Sequence, residues 1–129
     1  MRRGPDDKEW KKVKEEVKKR DKGLDRMIRI CTPVEFIILK RNAGPLLNIL
    51  DPAHIIAVSE NLSGTYLPFN IITLDRWSHT CLDGFKDPIT GKSITKEEVN
   101  KWWKRLLHGD RKQEEEFNKW IEEEGINWS

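Results

Sequence analysis

His54, Asn70 and His79 are the residues whose types and spacing could do chemistry in this chain, lying 16 and then 9 positions apart. A histidine titrates near pH 6.5, so one that is neutral at physiological pH can take a proton from water. A second histidine can offer a ring nitrogen to a metal ion. An amide side chain both donates and accepts, so Asn70 can tie down a loop and orient a neighbouring base. Spacing alone carries little, because a histidine in an apolar segment is more often a hydrogen-bonded core residue. Context adds weight: His54 sits in Asp51-Pro52-Ala53-His54-Ile55-Ile56, Pro68-Phe69-Asn70 leads into a strand-like Ile71–Leu74, and His79 falls in a helical Arg76–Leu82. His108, near the end of a predicted helix, reads as a cap only.

Residues 46–84, roughly a third of the chain, resemble the HNH nuclease motif. The resemblance implies an α+β fold in which a ββα-metal hairpin is surrounded by helices. It implies hydrolysis of DNA phosphodiester bonds, leaving a 5′-phosphate and a 3′-hydroxyl. It makes His54 the general base, Asn70 the orienting residue and His79 a metal ligand. One divalent cation is expected, Mg²⁺ or Mn²⁺ given mixed nitrogen and oxygen ligands. The acidic or histidine ligand that the family carries directly before the base is Ala53 here. Asp51 lies two residues before Ala53 and so on the same face of an extended strand, which nominates it as the carboxylate ligand. Asp83, four residues after His79, shares its helix face and is a second candidate. Many HNH domains also hold a structural zinc with two CxxC pairs. Asp75 and Ser78 stand where one pair would be, the other pair is missing too, and no structural zinc is expected. Ordinary packing must then support the motif, a task suited to Trp77 and the tryptophan-bearing helices after it.

The elements that must position these residues are legible in outline. A basic helix is expected from Pro5 to a stop at Gly23, with Trp10, Val13 and Val17 as a narrow apolar stripe. Met27–Leu39 reads as strand-like or mixed, broken at Pro33. Leu46–Leu50 and Ile55–Val58 read as short apolar segments flanking Asp51 to His54, and Ser59–Pro68 as a loop. Gly84 is expected to end the His79 helix in a left-handed conformation. Thr95 with Glu98 forms a capping-box signature opening a helix through Leu107, and a last helix runs from about Arg111 to Glu124. The expected organisation is one domain over 1–129: a basic N-terminal helix (1–26), the motif (46–84) and C-terminal helices (93–129).

A chain of 129 residues, 36% hydrophobic and 36% charged, can build one modest core beneath a highly charged surface. The net charge of +2 hides an asymmetry: residues 1–30 carry twelve Lys/Arg against seven Asp/Glu, residues 109–129 three against seven. The basic end could meet a polyanion, although such runs are commonly solvated helix faces; the HNH resemblance implies DNA as the partner, with Lys11, Lys12, Lys18 and Lys19 on the first helix and Lys104 and Arg105 near the end of the helix that Thr95 opens as candidate phosphate contacts. No apolar run reaches membrane-spanning length, so no membrane partner is expected. Cys31 and Cys81 suggest no disulfide framework, which points to the cytoplasm, a host's if the gene is phage-borne. Small free-standing HNH domains look like phage or mobile-element nucleases, so packaging and other DNA-processing proteins are conceivable partners. Two other classes fit the sequence: an HNH scaffold without chemistry that binds DNA or protein, and a helical adaptor using its tryptophan faces.

Overall fold

The computed structural model describes residues 7–128. Its described elements are α1 (Asp7–Asp21), α2 (Arg26–Ile30), α3 (Pro33–Ala43), β1 (Leu50–His54), β2 (Ile71–Asp75), α4 (Arg76–Asp83), α5 (Lys96–Leu107) and α6 (Arg111–Glu124), with short 3-10 turns at Gly44–Asn48, Leu62–Gly64 and Pro68–Asn70. The fold is α+β: β1 and β2 form an antiparallel pair, with Asp51 opposite Leu74 and His54 opposite Ile71, and α4 follows β2 directly and packs on both strands. No helix among the described residues is long and apolar enough to cross a membrane.

α1 forms as its stripe predicts. Val13 and Val17 are buried on Ile71, with Trp10 and Tyr66 at the margin, and the lysines between them are exposed. Lys22 and Gly23 end the helix region with φ of 58° and 66°, a pair of left-handed residues of which only the glycine is at ease. The expected start at Pro5 lies outside the described residues.

Of the stretch Met27–Leu39, which the apolar pattern leaves open between strand and helix, Met27–Ile30 and Pro33–Leu39 are helical, with Cys31 and Thr32 extended between them. Asp25 caps α2 through the Met27 N–H. Thr32 and Glu35 form a complete capping box around Pro33, which occupies the first turn of α3, where its missing N–H costs nothing. Pro33 therefore opens a helix. The first strand is also displaced from expectation, since it is the Asp51–His54 segment itself that pairs, while residues 44–48 form a 3-10 turn. Pro52 is tolerated because β1 is an edge strand. Gly84 does cap α4, but at φ −95°; the left-handed residue is Phe85, at φ 56°.

The outer edge of β2 would present unpaired backbone groups to the interior. Side chains from the α1–α2 region meet them: Asp21 accepts from the Thr73 N–H at 3.0 Å, Asp25 accepts from the Asp75 N–H at 3.1 Å, and Arg20 donates to the Ile71 carbonyl at 2.6 Å. Burial alone would raise the Asp21 carboxyl, but Arg20 and Arg26 overcome it and hold the group well below the usual carboxylate range. The main core lies on the other side, where Ile72, Leu74, Leu82, Trp103, Leu106, Leu107 and Phe117 pack together. Both later helices begin and end as expected, α5 with the Thr95–Glu98 capping box. Five tryptophans belong to this core or pack on it; Trp10 does not.

Asp25 supplies a test of this framework. Burial pushes its carboxyl up to about 8, helped by the Asp75 carboxyl beside it, so at neutral pH it is largely protonated. The unfolded chain would give up that proton near the ordinary value of 3.8. The folded state thus binds the extra proton between those values, and stability falls as pH rises through the window. Asp25→Asn mimics the protonated form and keeps an acceptor for both N–H groups. Its melting temperature is expected to vary less than wild type between pH 6 and 9; parallel curves would place the pH dependence elsewhere.

Candidate active site

His54 ends β1, where the chain leaves the sheet for the loop 55–70. Its Nε2 lies 2.9 Å from the Thr65 carbonyl oxygen. A carbonyl only accepts, so Nε2 must carry the proton and, in the neutral ring, Nδ1 holds the lone pair. Burial pushes the imidazole below its usual value. The Thr65 carbonyl and the Asp83 carboxylate oppose that shift, while His79 adds to it, so both α4 residues lie near enough to act on its charge.

The carbonyl facing His54 is set by Asn70. Fully buried, Asn70 accepts from the Ile56 N–H at 2.9 Å and donates to the carbonyls of Ile56, at 3.1 Å, and Gly64, at 3.0 Å. One amide at the end of the loop thus ties down its start, at Ile56, and its middle, at Gly64, next to Thr65. Gly64 belongs to the same clamp: a Cβ there would lie 2.6 Å from Asn70 Nδ2 and 2.9 Å from the Trp120 ring, so a side chain does not fit.

α4 carries His79 across from β1, and the two candidate carboxylates meet opposite edges of its ring. Asp51 Oδ2 is 3.2 Å from Nδ1, and Asp83 Oδ2 is 3.3 Å from Nε2. One imidazole offers an ion one nitrogen, so Asp51 and Asp83 cannot both share a single cation with His79. The two candidates are thus alternatives, on opposite edges of one ring. Two neighbouring ligands of an octahedral ion at about 2.1 Å stand about 3 Å apart, which Asp51 and His79 Nδ1 nearly match. Asp83 then fits the role of a carboxylate taking the other ring proton and fixing the tautomer.

Arg76 carries no signal in the sequence, yet its guanidinium reaches both oxygens of Asp51, at 2.9 and 3.2 Å. It holds the Asp51 carboxyl below the usual range, outweighing partial burial. Among the described residues no three His, Cys, Asp or Glu side chains are grouped so as to hold a metal ion by themselves. The donor set fits a hard cation that keeps water and substrate oxygens for its remaining positions, as Mg²⁺ commonly does.

Asp75 and Ser78, standing where the family pattern has cysteines, are joined directly. Asp75 accepts from the Ser78 N–H and from its hydroxyl, both at 2.8 Å, and caps α4. A hydrogen-bonded clip thus ties the β2–α4 junction.

The candidate phosphate contacts separate into two kinds. Lys11, Lys12, Lys18 and Lys19 are exposed on α1, and Lys18 with Lys14 walls a groove of about 450 Å³ floored by Leu50 and Pro52 and reaching Asp51. Lys104 is exposed with its ammonium 5.5 Å from the Trp128 ring centre. Arg105 binds both oxygens of Glu35 and the Ile30 carbonyl and lies over Trp102, so a phosphate would have to compete with that ion pair for it.

Comparison with protein-family models, with curated proteins and with solved structures gives no match to this chain.

Proposed function

We propose that the chain is a metal-dependent endonuclease of the HNH type that hydrolyses DNA. The observation carrying this reading is the pairing of His54, whose Nε2 faces a backbone carbonyl so that Nδ1 keeps its lone pair, with an Asp51–His79 pair on the neighbouring element. Since no relative supports it, the reading rests on the residues themselves.

In this mechanism Nδ1 of His54 takes a proton from the attacking water. The positive ring that results is stabilised at Nε2–H by the Thr65 carbonyl, which Asn70 keeps in place. Asp51 and His79 would hold the cation, whose charge, when bound, stabilises the phosphate and the leaving oxygen. Arg76 would then leave Asp51, and its guanidinium, half exposed, is free to pair with a phosphate. The lysines of α1 add contacts that do not depend on sequence, each steepening the fall of log K with log salt by about 0.9. The family pattern further suggests a 5′-phosphate product and a phage or mobile-element role.

A second reading has its own observation. Arg76 neutralises Asp51 as the chain stands, an arrangement that suits a scaffold binding DNA without cutting it. Supercoiled plasmid incubated with Mg²⁺ or Mn²⁺, and in parallel with EDTA, separates the two. Nicked circles only in the metal samples are expected, whereas DNA binding with no nicking under either metal would favour the scaffold.

A further inference from the structure

Trp10 lies outside the motif and 44 positions before His54, yet its indole stacks on the His54 imidazole. The ring centres are 5.3 Å apart and the planes 14° from parallel. We infer that Trp10 is a positioning residue for His54, covering one face of the imidazole and fixing the plane in which Nδ1 points. The catalytic meaning of this inference rests on the proposed function, while the stack does not.

The need for such a residue arises because the hydrogen bond alone is too little. The χ2 torsion of histidine is broad, and one bond from Nε2 to the Thr65 oxygen fixes a point on the ring without fixing its plane. A parallel aromatic neighbour fixes the plane, and point and plane together determine where the lone pair on Nδ1 lies. Stacking sets the indole against a face of the imidazole and leaves the ring edge, where Nδ1 lies, uncovered by the indole itself.

The mount is firm enough for the task. Val13 and Val17, on the same stripe as Trp10, are buried against Ile71, the residue paired with His54 across the sheet. Arg20 donates to the carbonyls of Pro68, at 2.7 Å, and Ile71, and Asp21 accepts from Thr73. α1 is thus bound to β2, and Trp10 approaches His54 from an element anchored on the partner strand. The basic helix becomes part of the catalytic frame as well as a place for phosphate contacts.

Trp10→Ala, Trp10→Leu and Trp10→Phe in the full chain test this with two readouts. In metal-free, DNA-free protein the His54 ring protons should be shifted upfield by the indole ring current. That shift should vanish in Trp10→Ala and Trp10→Leu and persist in part in Trp10→Phe. In plasmid nicking the alanine and leucine variants are expected to lose about tenfold to a hundredfold in kcat with KM for DNA unchanged, a cost typical of misplacing a reacting group. The phenylalanine variant should recover most of it. If Trp10→Ala does not fold, the leucine variant, which keeps apolar bulk without a flat ring, carries the test. Unmoved His54 resonances would overturn the inference, as would a raised KM with kcat unchanged, which would make Trp10 a DNA contact. Failure of the proposed function shows separately, as no metal-dependent nicking by wild type.

Discussion

His54→Ala is expected to lower plasmid nicking by about 10² to 10⁴ at saturating metal, while affinity for Mn²⁺ and for DNA stays near wild type. The size reflects removal of the group placed to take the proton. The selectivity comes from the geometry, because Asp51 is held by Arg76 and His79 while the His54 Nε2 is held by the Thr65 carbonyl. His54→Gln is a stricter form, retaining a donor for the Thr65 carbonyl without a base of suitable basicity, and should be as slow as alanine. Nicking within threefold of wild type by either variant would remove His54 from the mechanism.

His79→Ala should weaken Mn²⁺ binding by at least the ten- to hundredfold that loss of an outer-shell partner costs at metal sites, and abolish nicking at ordinary metal concentrations. Asp51→Ala should behave alike if Asp51 Oδ2 and His79 Nδ1 share the ion. Asp83→Asn should have the milder effect of an orienting group, since Asp83 faces Nε2. Calorimetric titration with Mn²⁺ ranks the three. A wild-type affinity for Asp51→Ala beside a large loss for Asp83→Ala would exchange their roles and move the ion to the other edge of the imidazole.

The motif residues are legible in the sequence because each has chemistry that spacing and flanking residues expose. His54 ends an extended segment, Asn70 precedes a strand, and His79 lies one helical turn into α4. The Trp10–Val13–Val17 stripe and the Thr95–Glu98 capping box are legible for the same reason, being local patterns with local causes. Thr32 and Glu35 carry the same capping signature, but Pro33 between them reads as a break, and the apolar run behind it fits either period. The hidden part is contributed by backbone or by distant partners. The Thr65 carbonyl has no side-chain signal, and the Gly64 requirement arises only once Asn70 and Trp120 converge on it. The Trp10–His54 stack joins residues no local pattern relates, and the Arg76–Asp51 pair spans β1 and α4.

The central claim is that a neutral His54, held by Thr65 and Asn70, is the base of a metal-dependent DNA cut. Burial pushes its imidazole below the usual 6.5, so the neutral, working form should persist to lower pH than for an exposed histidine. The most direct measurement is the rate of plasmid nicking at saturating Mn²⁺ across pH 5 to 8, for wild type and His54→Ala side by side. The expected result is a wild-type rate that rises with pH, with its midpoint below 6.5, over a slow His54→Ala background lacking that rise. A rise of equal size and midpoint in His54→Ala, or a wild-type rate indifferent to EDTA, would contradict the account.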